Sequence, residues 1–150
     1  MEMNFMGKNG INDEYVIIVG CGRLGAHLAN ALFESGKSVV IIDMKPSAFR
    51  RLVEGFGGFA LEADATELDT LKKAGIENAD VFAAITDDDN TNIMLAQIAK
   101  TIYGVRKVIA RVYEPNRQNV YEELEIKTIC PMTLSAEAFK DSIENDEGGD

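Results

Sequence analysis

The stretch VIIVGCGRLG, residues 16–25, constrains this chain more than any other. Four apolar β-branched residues lead into Gly20-x-Gly22-x-x-Gly25, and Leu24, Leu28 and Leu32 follow at helical spacing. The apolar run is a buried strand and the leucine series one face of a helix, so the glycines fall at the turn between them. Each then has a physical task. Gly20 permits the tight turn, Gly22 lets a phosphate approach the backbone, and Gly25 lets helix and strand pack closely. The N–H groups of the helix's first turn, with the dipole behind them, favour an anion. A glycine turn alone is weak evidence for a nucleotide, but this one has the flanking strand and helix that the mechanism needs.

The chain after it alternates in kind. Residues 39–42, VVII, end in Asp43, which lies 18 positions past Gly25 and close to the roughly 20 at which an acid reaches an adenosine ribose. Further strands are expected at 59–61, 81–85, 108–112 and 126–130. Helices are expected over 23–35 and from Pro46 to Phe56, the latter with Phe49, Leu52, Val53 and Phe56 inward, and over 67–74 with Leu68 and Leu71 inward. Three more follow: one after Asn92 with Met94, Ile98 and Ile102 on one face, one from Pro115 to about Leu124, and one after Pro131 with Leu134, Ala138, Phe139 and Ile143 on one side. Gly36, Gly75 and Gly104 are placed as stops. Apolar strands alternating with helices predict an α/β fold, a three-layer doubly wound Rossmann-like parallel sheet of six strands in the order 3-2-1-4-5-6. The domain spans 15–143, between a flexible leader, 1–14, and an acidic tail, 144–150. Ligands of such folds bind beyond the C-terminal strand ends, where strands one and four diverge. Gly20–Gly25, Asp43, Asp64, Thr86–Asn92 and Arg111 all finish or follow a strand.

Composition narrows the partners. At 150 residues and 46% hydrophobic content there is one core, not two. A net charge of −10 opposes a nucleic-acid or anionic-membrane surface. No apolar run nears the roughly 18 residues of a membrane span, which places the chain in the cytoplasm. Cys21 and Cys130 are far apart and His27 is the single histidine, so a zinc site is not expected. The Asp87-Asp88-Asp89 run lacks the glycine and distal glutamate of a calcium loop, and an acidic helix start needs no ion.

Asp43 suits a pair of ribose hydroxyls and repels a 2′-phosphate, an exclusion that Lys45 weakens. Arg23 either places a guanidinium over phosphates or points into water. Asp64 accepts from the amine of an adenine, or forms an Asx turn or N-cap for the helix after it, or both. His27 reads as structural. Cys21 reads as inert unless the helix N-terminus acidifies it, and Cys130 as inert. No acid, base and nucleophile stand in a pattern that suggests catalysis, so an enzyme is not expected.

In order, YVIIVGCGRLG, VVIID, ADAT, AAITDDDNTNIMLAQIAK, VIARVYEP and ICPMTLSAEAF resemble the N-terminal (TrkA-N type) nucleotide-binding domain of RCK proteins. These are regulatory subunits of Trk/Ktr potassium-uptake systems and gating domains of some potassium channels. The resemblance implies a cytoplasmic subunit, peripheral to the inner face of the membrane through its partner, that gates potassium or other cation transport by binding NAD(H) or ATP, ADP or AMP. It implies a homodimer or larger ring and a membrane transporter subunit as partners. It also implies that Gly20, Gly22, Arg23, Leu24 and Gly25 hold phosphate, that Asp43 and Met44 lie at the ribose, and that Asp64 and Ala65 lie beside the adenine. Thr86, Asn92 and Arg111 would complete the site. Ala63 stands where the family usually has glycine, and the C-terminal subdomain common in the full proteins is not in this sequence, so a ring is expected only if a companion chain supplies it. The alternative is the coenzyme-binding subunit of an NAD-dependent oxidoreductase.

Overall fold

A computed structural model describes residues 13–145. Its centre is one parallel sheet of six strands in the order β3-β2-β1-β4-β5-β6. The strands are β1 (Tyr15–Val19), β2 (Ser38–Asp43), β3 (Phe59–Glu62), β4 (Val81–Ala84), β5 (Lys107–Arg111) and β6 (Lys127–Ile129). The order reverses at β1, which pairs with β2 on one side and β4 on the other; Val16 lies opposite both Val39 and Val81. A pair of such central strands has both faces covered, which is why β1 and β2 read as unbroken apolar runs. Alternate side chains serve opposite layers. Tyr15, Ile17 and Val19 pack with Val40, Ile42, Phe82 and Leu95, while Val16 and Ile18 pack with Ala26, Ala29, Val39 and Ile41.

Helix α1 (Arg23–Glu34) covers the second of these layers. It ends because Gly36 takes φ +89° and two backbone bonds close the turn, Lys37 N–H to Leu32 O and Gly36 N–H to Phe33 O, each 3.0 Å. These are the paired bonds of a Schellman stop. Helix α3 (Asp89–Gln97) lies on the first layer and begins at Asp88, whose carboxylate accepts from the N–H groups of Asn90 and Thr91. It runs on into a π-helical turn, Ile98–Ile102. The remaining helices are α2 (Thr70–Lys73), α4 (Gln118–Glu122) and α5 (Pro131–Glu144).

The structure departs from the sequence-based expectation in the connections. The helix expected from Pro46 to Phe56 is only a 3-10 segment, Pro46–Arg51. The chain needs a left-handed Gly55, φ +83°, to bring the Phe56 ring against Phe33, with centroids 5.3 Å apart, and an α-helix would not allow that turn. The helix expected over 67–74 forms only as α2, and Leu68, expected inward, is 93% exposed in the turn before it. On α3 and its continuation the buried residues are Asp89, Asn92, Leu95, Ala96 and Ala99, while Met94 and Ile102 face outward. The two alanines let the helix lie close to the sheet, and this favours the small-residue face over the bulkier one. Helix α5 buries none of its residues, and Leu134, Phe139 and Ile143 stand exposed upon it.

Residues 1–12 of the expected leader and 146–150 of the tail lie outside the described residues. Asp13 and Glu14, assigned to the leader, are held by the body of the domain. The Ser38 hydroxyl donates to Asp13 Oδ1 (2.8 Å), and Glu14 bridges Lys37 (2.9 Å) and Arg106 (3.0 Å). The Lys37 hydrogen bond, aided by its charge and those of Lys107 and Arg106, holds the Glu14 carboxyl below the usual carboxylate range. A carboxyl depressed in the folded state stabilises the fold above its unfolded pKa, and that contribution is lost as pH falls through the folded value. Glu14→Gln should therefore lower Tm slightly near neutrality and converge on the wild type as the pH falls through the folded value, so that its acid limb is flatter. Parallel acid limbs in the two proteins would show that the bridge is solvent-screened to nothing.

Candidate nucleotide site

Both ladders of β1 continue into the turns that border the site. The Gly20 N–H donates to Ile42 O and the Ile85 N–H to Val19 O, each at 2.8 Å, so the glycine turn and the start of the β4 loop are fixed side by side. Gly20 has φ +107°, and a Cβ on it would stand 2.5 Å from Ile85 O and 2.9 Å from Thr86 N. On Gly25 a Cβ would stand 1.9 Å from Gly20 O. Both glycines are thus required by packing and conformation. Gly22 is different: its φ of −75° suits any residue, and a Cβ there would meet nothing within 4 Å. The protein supplies no reason of its own for glycine at this position, which is the N-cap of α1 and has no side-chain cap.

Beside this opening, the Asp43 carboxylate is fixed by two backbone donors. The Cys21 N–H bonds to Oδ2 (2.8 Å) and the Lys45 N–H to Oδ1 (2.9 Å). Each oxygen keeps a further lone pair for another donor. Arg23, Leu24 and Met44 are exposed around the same turns. Asp64 makes an Asx turn, in which the Thr66 hydroxyl and N–H donate to Oδ1 at 2.6 and 2.9 Å. These bonds, the hydroxyl's first, hold its carboxyl below the usual range. It does not cap α2, which starts later, at Thr70. Ala65 is buried in the same core cluster as Ile42 and Leu71.

Thr86 and Asn92 are engaged chiefly with each other. Asn92 is fully buried. Its Oδ1 accepts from the Thr86 N–H (2.9 Å) and hydroxyl (2.6 Å), and its Nδ2 donates to Thr86 O (3.0 Å) and Arg111 O (3.1 Å). That is the full hydrogen-bonding capacity of an amide. Thr86 and Asn92 therefore act through the backbone they fix, holding the start of the β4 loop to the end of β5. Arg111, at the end of β5, lays its guanidinium 4.1 Å over the Tyr113 ring, while its Nε is buried with no partner among the described residues. A buried donor left unmatched costs about 1–3 kcal/mol, which an acceptor from a ligand would offset.

Two residues have roles that the sequence did not assign them: Asp89, read only as part of an acidic helix start, and Tyr113, which was not singled out. Asp89 is 7% exposed and accepts from the Tyr113 N–H (2.8 Å) and, more weakly, the Glu114 N–H (3.3 Å). Tyr113 is the platform for Arg111, a pairing hinted at only by their spacing of two along an extended chain. The three consecutive aspartates accordingly divide: Asp88 caps α3, Asp89 holds the β5 loop, and Asp87 is exposed. A shallow acidic depression lies at Asp87–Asp89, Tyr113, Glu114 and Arg117, but its lining contains no residue of the glycine turn.

Cys21, for which acidification by the helix was one expectation, is driven the other way. Its side chain is wholly buried and its Sγ donates to Ala48 O (3.4 Å). Burial, then the Asp43 charge, push the thiol up to about 11 against a small opposing effect of Arg51. At pH 8 about one thiol in a thousand is then ionised. Cys21 should resist iodoacetamide in the native protein and react only on unfolding, as peptide mass spectrometry would reveal; rapid native alkylation would mean the turn opens readily.

Residues 16–131 match the family model of the TrkA-N domain. The Trk system potassium uptake protein TrkA of Streptomyces coelicolor is 43% identical over 123 residues, which cover 82% of this chain and 55% of that protein. The chain thus spans about half the length of this curated relative. The GsuK channel bound to NAD superposes with a TM-score of 0.79 at 24% identity, over 93% of this chain and 25% of that one. GsuK bound to ADP gives 0.77 at 23%, over 93% and 36%. At such identities the two superpositions bear on the fold alone. With the family model covering most of its length, and with the sheet order and glycine turn in place, the chain belongs to the TrkA-N domain family.

Proposed function

We propose that this domain is a nucleotide-binding regulatory module of a potassium-transport system, and that NAD(H) or an adenine nucleotide such as ATP, ADP or AMP occupies the crevice at the glycine turn. The observation that carries the proposal is Gly22. Its side-chain position opens on empty space at the N-terminus of α1, where a phosphate would meet backbone N–H groups. Asp43, held by Cys21 and Lys45 with lone pairs to spare, suits the ribose hydroxyls. Arg23 lies in the same turn for the phosphates, and Leu24 and Met44 offer apolar contact to the sugar and base. Asp64 and the backbone at Ala65 border the adenine, and the Arg111 Nε takes a further acceptor. Thr86 and Asn92 belong to this site as its wall.

The module acts without chemistry of its own. Binding would shift the balance between two arrangements of an oligomer, and a membrane potassium-transporter subunit would respond, as the name of the Streptomyces coelicolor relative suggests. No helix of the described residues is long and apolar enough to cross a membrane; a place on the cytoplasmic side, held at the membrane by that partner, follows from the regulatory role proposed. The exposed apolar residues of α5 suit contact with a second copy of the chain in a dimer or ring.

Calorimetric titration with NADH, NAD, ATP, ADP and AMP tests the proposal. At least one should bind saturably, and Asp43→Asn, which retains an acceptor for the Cys21 N–H, should weaken it by about tenfold through loss of a charged acceptor for the ribose. Absence of binding by all five, or affinity unaltered in Asp43→Asn, would remove the ribose assignment and with it the main basis for a nucleotide.

A further inference from the structure

We infer that Asp89 and Asn92, on the first turn of α3, are positioning residues that couple the nucleotide crevice to the segment after β5. The inference rests on the proposed nucleotide site. The path is continuous at every step. Gly20 is packed so tightly on Ile85 and Thr86 that even a Cβ has no room between them. The backbone N–H, carbonyl and hydroxyl of Thr86 are all bonded to Asn92. Asn92 is bonded in turn to the carbonyl of Arg111, and Asp89, three residues before it, accepts from the N–H groups of Tyr113 and Glu114. One rigid helical turn therefore grips the loops of β4 and β5 together.

A phosphate that moves the glycine turn displaces the Ile85–Thr86 backbone, because no space for even one further atom separates the two and close-packed groups do not yield gradually. Thr86 has no freedom apart from Asn92, so α3 moves with it and carries Arg111–Glu114. That segment leads directly into the 3-10 turn Pro115–Arg117 and α4. Ligand occupancy is thereby delivered to the β5–β6 half of the sheet, from which α5 departs. Both clamp residues are buried and polar with their bonds directed inward, which is the pattern of a network that fixes one arrangement. The same grip also explains why Arg111 can hold its guanidinium on Tyr113: the carbonyl of the one and the N–H of the other are fixed to the same helix.

Hydrogen exchange of the full chain, followed by mass spectrometry with and without saturating NADH or ATP, tests the coupling. In the wild-type protein, nucleotide should slow exchange in 86–92 and also in 113–122 by about fivefold or more, the lower end of ordinary allosteric coupling. In Asp89→Ala the effect on 86–92 should persist while that on 115–122 is lost, and Asp89→Asn, which keeps an acceptor toward Tyr113, should restore part of it. A merely structural role would change the basal exchange of 115–122 without altering its response to nucleotide. Calorimetry on the same samples separates two failures. If no nucleotide binds, the site itself is wrong and the coupling falls with it; if nucleotide binds and protects 86–92 while wild-type 113–122 does not respond, the site stands and the coupling is overturned. Should Asp89→Ala not fold, the wild-type response in 113–122 decides the matter together with Asp89→Asn.

Discussion

Gly25→Ala should lower the unfolding free energy by about 3 kcal/mol, the upper part of the usual range for overpacking. Intrinsic propensity alone predicts the opposite sign, since alanine is favoured over glycine inside a helix by up to about 1 kcal/mol. The contact decides. The new methyl would lie 1.9 Å from the carbonyl oxygen of Gly20, and Gly20 cannot recede because its N–H is tied to Ile42 and its other face is pressed on Ile85. Gly22→Val is the matched control, because its side chain enters open space and its cost should be limited to that of an apolar N-cap, about 1 kcal/mol. The two variants separate again when nucleotide is added. A ligand at a hundred times its Kd stabilises the wild-type fold by about 2.7 kcal/mol, and Gly22→Val should forfeit most of that gain. Urea denaturation with and without nucleotide measures both effects. An unfolding midpoint of Gly25→Ala equal to wild type would contradict the close packing of turn and helix. Full ligand stabilisation of Gly22→Val would show that the space beside Gly22 is not where phosphate binds.

What the sequence made legible divides along the same line. The centre of the sheet was readable because β1 and β2 are covered on both faces, so their apolar runs are unbroken, and because Gly20 and Gly25 answer to local geometry that only glycine satisfies. The segment after Pro46 was not readable: Phe49, Leu52 and Phe56 do pack inward at helical intervals, but a left-handed glycine and the Phe33 ring bring them there without an α-helix. That Met94, Ile98 and Ile102 share a face does not say which face is buried, and the choice fell to the alanines that fit against the sheet. Leu68 had no such competitor to reveal it. The polar residues show the deeper limit. That Asp43 ends a strand follows from its position; that it accepts from the Cys21 N–H depends on the neighbouring loop. The division of labour among Asp87, Asp88 and Asp89 is likewise invisible in a row of identical letters, because the partners of Asp89 lie 24 and 25 residues away.

Asn92 gives the sharpest test of that limit, since resemblance places it among ligand contacts while its amide is saturated within the protein. Asn92→Ala should destabilise the fold by about 3 kcal/mol, because several buried groups lose partners at once and an unmatched buried polar group costs about 1–3 kcal/mol. The Thr86 hydroxyl can turn to the Asp88 carbonyl 3.3 Å away, which limits the loss. The Thr86 N–H and the Arg111 carbonyl have no such substitute among the described bonds. Asn92→Asp keeps both acceptor contacts but forfeits the two donated by Nδ2 and places a carboxylate at a fully buried position near two carbonyl oxygens. It should be at least as damaging at pH 7 and should recover as the pH is lowered and the carboxyl takes up a proton, because burial of a carboxyl favours its neutral form. A direct ligand contact predicts otherwise, with stability nearly unchanged in the absence of nucleotide and affinity sharply reduced. Denaturation of the ligand-free protein across pH 5 to 8 therefore separates a residue that builds the crevice wall from one that touches what the crevice holds.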